Sequence, residues 1–329
     1  QEKFETDVPE MGAHVTHDEI WELYLHSRFW DLANQRWGWS VPMSYQVLSS
    51  LAGGIFVFLL LLSQYRRGSG FLFVAGILAG GSMQLFFGDV ENYTLTSLLI
   101  FAYLWAGLLF LEDEITLIWP SGLLALAMTF HLLSGWLLPS LAYLYWLALK
   151  RKAYRTVSIG MLICVLIVAG TLTFFHFNGL PIEDLFNNSN ISAQGGSIAK
   201  MLSEPSLSLY WQLINLLFLL FPPLLFFIPL LLYGRIQLTL QNGFLLIASL
   251  FMLIFMTVWK PGLGVYGDWN LFAPSSIPLA ILFWINFLKI EELKYRDRIF
   301  WGIVITAAIH SYAWIISNHY YLHWGLGSY

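Results

Sequence analysis

Residues 157–176 read VSIGMLICVLIVAGTLTFFH, twenty positions without an Asp, Glu, Lys or Arg. A hydrocarbon core of roughly 30 Å needs about 20 apolar residues in α-helix, so this stretch reads as one membrane crossing. Nine further stretches pass the same test, near 47–63, 70–87, 94–111, 115–131, 132–149, 209–233, 243–259, 271–289 and 299–317. The segments 115–131 and 132–149 are short and nearly continuous, which predicts a tight helical hairpin around His131 and Leu132. Pro222 and Pro223 fall inside 209–233 and predict a kink, tolerable where neighbouring helices re-satisfy the freed backbone. The expected fold class is therefore all-α. It is a polytopic transmembrane bundle of about ten helices over 47–329, preceded by an external segment 1–46 that carries an interfacial helix. The one long internal connection is 177–208, polar and external.

Composition agrees. The chain has 329 residues, 58% hydrophobic and 11% charged, with a mean hydropathy of +0.66. Soluble domains carry about 25% charged residues, so a conventional water-soluble enzyme is excluded. A net charge of −4 without any basic run gives no footprint for a nucleic-acid partner. The lone Cys164 lies inside 157–176, reads as a small packing residue, and precludes an intrachain disulfide. No Walker loop, Rossmann glycine fingerprint, Ser-His-Asp arrangement or internal repeat is visible. Residues 1–39 carry no initiator Met, basic n-region or apolar h-region, so a leading helix or signal is expected to have preceded them.

Basic residues set the orientation. Connections after the odd-numbered crossings hold Arg66, Arg67, Lys150, Arg151, Lys152, Arg155, Arg235, Lys289, Lys294, Arg296 and Arg298, which is 11 of the 16 Lys and Arg. The other side holds Lys3, Arg28, Arg36, Lys200 and Lys260. Lys and Arg accumulate on the cytoplasmic side, so both termini are expected outside. The acidic run Glu112-Asp113-Glu114 dissents, although acids carry little weight in this rule.

Three acidic clusters fall together on the external face. Carboxylates are costly near hydrocarbon, so their convergence points to a site. The first is His17-Asp18-Glu19, at the start of a helix expected over 16–39, with Thr16 and Glu19 spaced as a capping box. Ile20, Trp21, Leu23, Tyr24, Phe29, Trp30, Leu32 and Trp37 would form its broad apolar face, aromatic-rich as at a headgroup boundary. The second is Gly88-Asp89-Val90-Glu91-Asn92-Tyr93, where Gly88 allows the backbone to bend. The third runs from Lys260 through Tyr266 to Asp268-Trp269-Asn270. Lys260 could face a phosphate, or equally snorkel from a helix end. Each cluster alone also fits a helix cap or polar turn. His131 lies at the same external face as a helix-end or ligand-site residue. His319 and His323 have the spacing of a zinc pair but no third ligand, and His176 and His310 read as packing residues.

The motifs Phe86-Phe87-Gly88-Asp89-Val90-Glu91-Asn92-Tyr93 and Asp268-Trp269-Asn270-Leu271-Phe272, with Asp18-Glu19 before a helix, resemble the GT-C superfamily of polytopic glycosyltransferases. The similarity is to a bacterial branch with Phe-Phe-Gly-Tyr-Val-Glu-Asn-Tyr and Asp-Trp-Asp-Leu-Phe. Asp89 stands in place of tyrosine and Asn270 in place of the second aspartate. The resemblance spans roughly residues 10–290. It implies a polyprenyl-phosphate-linked sugar donor, membrane lipid as surroundings, and a bacterial inner-membrane location with the site on the periplasmic face. It implies Asp18 or Glu19 as catalytic base. Asp89, Glu91, Asn92, Tyr93, His131, Lys260, Tyr266, Asp268, Trp269 and Asn270 would bind substrate. Some relatives use a divalent metal ion, which three acidic clusters permit and do not require. Two other classes remain in play. A transporter would place its acids mid-membrane in discontinuous helices, often in repeated halves. A non-catalytic subunit of a larger membrane complex would dock through 16–39.

Overall fold

The computed structural model describes residues 19–67, 70–88, 90, 92–178, 206–232, 236–262, 264–290 and 295–319. These residues are helical, with no strand among them. In chain order the helices are α1 (Ile20–Trp37), α2 (Val41–Arg67), α3 (Gly70–Leu78), α4 (Thr94–Leu111), α5 (Ile118–Phe130), α6 (Leu138–Lys150) and α7 (Tyr154–Phe177). They continue as α8 (Leu207–Leu220), α9 (Leu224–Leu232), α10 (Leu240–Val258), α11 (Trp269–Phe272), α12 (Ser276–Leu288) and α13 (Arg296–His319). Tighter 3-10 turns occupy Gly81–Phe86, Leu132–Leu137 and Ala273–Ser275.

Seven helical stretches among the described residues are long and apolar enough to cross a membrane, or eight if α8 and α9 count as one bent span. The other expected crossings differ for local reasons. Segment 70–87 is broken, α3 giving way after Leu78 to the 3-10 turn Gly81–Phe86. Segment 115–131 yields a 13-residue helix. Segment 209–233 does not kink at Pro222-Pro223 but breaks, α8 and α9 meeting at 94°. Two successive prolines remove two backbone donors, more than one bend can absorb. The turn at His131 falls where the hairpin was expected, His131 closing α5 and opening the 3-10 turn Leu132–Leu137.

The broken segment 70–87 is satisfied by hydroxyls from neighbouring helices. Ser311 Oγ of α13 donates to the Ala79 carbonyl at 2.8 Å, and Ser49 Oγ of α2 donates to the Leu85 carbonyl at 2.6 Å. This is the repair that non-helical backbone needs inside an apolar bundle. The interruption also packs against the other broken helix. A narrow, largely filled cleft lies between them, lined by apolar groups including Phe56, Ile77, Met83, Leu220 and Phe221, with Ser82.

Helices α4 and α12 form the centre, bearing the fully buried Tyr103, Phe101, Phe283 and Trp284. Between α10 and α12, Asn242 and Asn286 exchange two hydrogen bonds, Nδ2 to Oδ1 in each direction, at 2.8 and 3.0 Å. A buried amide left alone is costly, whereas removing both partners is not. Asn286→Leu should therefore lose about 1–3 kcal/mol of stability in detergent unfolding. Asn242→Leu/Asn286→Leu should recover most of that loss, and equal losses in the single and double variants would reject the pairing. At the end of the bundle opposite His131, Arg151 pairs with Asp113. The dissenting acidic run thus sits against a basic connection, in an exposed pair that contributes little to stability. Cys164 is half-buried on α7, its thiol donating to the Ser121 carbonyl.

In helix α1 the buried positions are Ile20, Glu22, His26 and Ala33, while Leu25, Leu32 and Trp37 are exposed. The face against the bundle is thus part polar. Trp21 is the firm apolar anchor. Its Nε1 donates to Thr171 Oγ1 at 2.9 Å, and its ring packs on Phe174 and Phe175 of α7. The helix ends at Gly38, whose φ of 67° is the left-handed cap that glycine adopts without strain. His176 and His310, expected in packing, are both exposed.

Candidate functional site

The site begins where α1 begins. Glu19 occupies the N-cap position of α1 but makes no side-chain cap to its own helix. The expected capping box involves Thr16, which lies outside the described residues. The Glu19 carboxylate reaches the turn before α4. Asn92 Nδ2 donates to Glu19 Oε2 at 3.0 Å. His131 Nε2 lies 3.4 Å from Glu19 Oε1, and the Tyr93 hydroxyl also bonds the carboxylate. Tyr93 and His131 lie ring to ring at 5.1 Å. Gly88, with φ 87°, supplies the bend that lets the chain leave the 3-10 turn and present Asn92.

Three segments distant in sequence thus converge on one carboxylate whose side chain is 13% exposed. Burial opposes its ionisation, but the His131 ring, Asn92 and Tyr93 outweigh it and hold the Glu19 carboxyl below the ordinary glutamate range. The His131 tautomer follows from its other nitrogen. Nδ1 accepts from the Leu133 amide at 3.1 Å, which leaves the ring proton on Nε2, facing Glu19. His131 Nε2 has Glu19 as its polar neighbour, at 3.4 Å, and the buried acceptor Asn92 Oδ1 has no hydrogen-bond partner among the described residues.

One helical turn further along α1, Glu22 has no exposed surface. Its Oε1 accepts from the Leu95 amide at 3.1 Å, and its Oε2 from the Thr96 amide at 3.2 Å and the Thr96 hydroxyl at 2.9 Å. Burial pushes this carboxyl up to about 8, the three donors pulling the other way. His26, on the next turn, makes a 2.8 Å contact from Nδ1 to the Glu22 carbonyl and stacks on Tyr45 at 4.0 Å. Burial pushes it down to about 4. Sequence reading missed both residues. The signal was present, since Glu22 and His26 stand at i and i+4 on one face and Glu22 follows Glu19 by three. The same spacing also fits the polar side of an interfacial helix, which hid them.

The third cluster reaches the same end of the bundle through a chain of aromatic contacts. Trp136, in the turn after His131, packs on Phe255, which in turn touches Trp259 and Phe272 on either side of the cluster. Its own contacts lead elsewhere. Tyr266 accepts a hydrogen bond from Asn215 of α8 at 2.8 Å. Trp269 meets Trp314 of α13 edge-on. Asn270 is buried, its Oδ1 accepting from the Leu271 amide. The structure thus joins Glu19, Asn92, Tyr93 and His131 in direct contact and places Lys260, Tyr266, Asp268, Trp269 and Asn270 at the same end, braced by α8 and α13. Asp18, Asp89 and Glu91 lie outside the described residues, as does His323. Among the described residues, no three His, Cys, Asp or Glu side chains gather as a metal site.

Family models, curated proteins and solved structures give no match to this chain. The described residues form an all-helical structure with seven helices long and apolar enough to cross a membrane, compatible with an integral membrane protein.

Proposed function

We propose that this chain is a membrane glycosyltransferase that moves a sugar from a polyprenyl-phosphate-linked donor to an acceptor hydroxyl, with Glu19 as the base. The observation that carries the reading is the Glu19 carboxylate, held by Asn92 Nδ2, facing His131 Nε2 at 3.4 Å, and lying beside a buried acceptor, Asn92 Oδ1, that has no hydrogen-bond partner among the described residues. A hydroxyl placed against the carboxylate finds a base for its proton. Its oxygen attacks the anomeric carbon, its proton passes to Glu19, and the bond to the polyprenyl phosphate breaks with the electron pair leaving on phosphate. A carboxylate held toward its ionised form is a weak base, so proton transfer accompanies attack rather than preceding it. Lys260, at the same end of the bundle, would meet the phosphate charge. Asp18, Asp89, Glu91, Tyr93, Tyr266, Asp268, Trp269 and Asn270 would form the walls.

In this reading about ten helical segments lie in the bacterial inner membrane, with both termini and the site on the periplasmic side. Helix α1 lies along the interface, its exposed Leu25, Leu32 and Trp37 turned to lipid. Two features weigh against a transporter. The broken helices α3 and α8–α9 meet around an apolar cleft, not an acidic one. Glu19 sits at a helix end rather than in mid-span. A non-catalytic subunit is favoured by one observation, the exposed aromatic end of α1, where Trp37 and Trp39 pack at 5.1 Å beside Phe29. The test is reconstitution of the full chain in liposomes with polyprenyl-phosphate-linked hexoses and pentoses. Release of polyprenyl phosphate that depends on an added acceptor is expected. Folded protein that releases none from any donor would overturn the enzyme reading in favour of the subunit.

A further inference from the structure

Glu22 is the one acidic side chain fully buried among the described residues. Its carboxyl and that of Glu19 are held by one short segment, the Asn92 side chain donating to Glu19 and the Leu95 and Thr96 amides donating to Glu22. Two carboxylates confined this closely away from water cannot both ionise without a large penalty, and such pairs separate into one acid and one base. The surroundings decide which is which. Glu19 retains some solvent and faces the Nε2 of His131. Glu22 has no solvent, and one of its three partners is a hydroxyl, which can donate to a carboxylate or accept from an acid.

We propose that Glu22 is a neutral carboxylic acid at neutral pH, its proton held between Oε2 and the Thr96 hydroxyl, and that it thereby keeps the pair's one negative charge on Glu19. Glu22 is a positioning residue, fastening α1 to the first turn of α4 and fixing the charge state of its neighbour. Its titratable neighbours on α1 are Glu19 and His26; beyond them Tyr45 of α2 stacks on His26, and Tyr93 and His131 face Glu19. His26 supplies no counter-charge, because burial holds it neutral through the physiological range. The burial that raises Glu22 to about 8 acts in the same direction as the carboxyl pairing. Docked α1 therefore holds a proton that undocked α1 releases above the ordinary glutamate value. The Glu22 contribution to docking is greatest in acid and is lost as pH rises through about 8, whereas that of Glu19, whose carboxyl is lowered, is lost as pH falls.

The functional consequence rests on Glu19 being the base, but the protonation state does not, so its test needs no sugar transfer. Infrared pH titration of the full chain in lipid bilayers reads the C=O stretch of protonated carboxyls directly. Solvated acids among the 20 Asp and Glu lose this band well below neutrality. A band persisting at neutral pH and vanishing with a midpoint near 8 is expected. Glu22→Gln should remove it. Glu19→Gln should leave it and lower its midpoint, since the neighbouring negative charge is gone. If Glu22→Gln does not fold, Thr96→Val replaces it and should move the band to higher frequency by deleting the hydroxyl partner. Absence of any band at neutral pH in the unaltered chain overturns the proposal, as does a band that disappears in Glu19→Gln.

Discussion

For the proposed sugar transfer, Glu19→Gln is expected to lower turnover by about 10²–10⁴-fold, the contribution of a positioned general base, while leaving the protein folded in the membrane. The substitution is nearly isosteric. The glutamine carbonyl still accepts from Asn92 Nδ2, so the turn before α4 keeps its anchor. What is lost is the capacity to take a proton, and the loss falls on turnover rather than on substrate binding. The pH profile provides a second check. The Glu19 pKa is depressed, so the carboxylate is ionised above its folded value and the acid limb of activity falls below the ordinary glutamate range. Glu19→Asp keeps the charge but withdraws it by one methylene from Asn92 and His131, and should retain partial activity. Turnover in Glu19→Gln equal to the unaltered chain would remove Glu19 from the chemistry. It would leave the carboxylate as a clasp between α1 and the turn before α4.

The elements legible in the sequence are those that hydrophobic burial alone decides. Twenty apolar residues in a row admit little besides a buried or membrane helix, and 157–176 and 94–111 became α7 and α4 almost to the residue. The interruptions were legible only as weak local marks, Gly80-Gly81-Ser82 in 70–87 and Pro222-Pro223 in 209–233. What makes the first of them a full break is not local, since the groups that satisfy it, Ser49 and Ser311, stand 36 and 232 residues away from their acceptors. The candidate site divides in the same way. Glu19, Asn92, Tyr93 and His131 were visible as polar residues at the ends of apolar runs, where a charge needs a reason. Glu22 and His26 were hidden inside a helix whose composition reads as amphipathic. Their burial depends on the α4 amino terminus arriving from another part of the chain.

Gly81→Ala tests the least expected feature of the fold, the contact between its two broken helices. A methyl built on Gly81 would lie 2.0 Å from the Leu219 carbonyl oxygen and 3.0 Å from the Trp314 ring. An oxygen of backbone cannot rotate aside, so one interruption must move as a unit, and each is pinned. The turn Gly81–Phe86 is held through Leu85 to α2 and, just before it, through Ala79 to α13. The expected destabilisation is on the order of 3 kcal/mol, the upper part of the range for overpacked cores. Gly107→Ala is the informative contrast. Its added methyl would meet the Phe244 ring at 2.4 Å, a side chain that can yield, and the loss should be smaller. Gly54→Ala and Gly302→Ala meet nothing within 4 Å and should be neutral or stabilising, alanine being the better helix former by about 1 kcal/mol. Thermal unfolding in one detergent ranks the four. Because Gly81–Phe86 leads into the turn that carries Asn92, a displaced turn should also weaken the hold on Glu19. Gly81→Ala should then lose activity even where it remains folded. A Gly81→Ala protein as stable as Gly54→Ala would mean that the broken helices do not meet at this glycine.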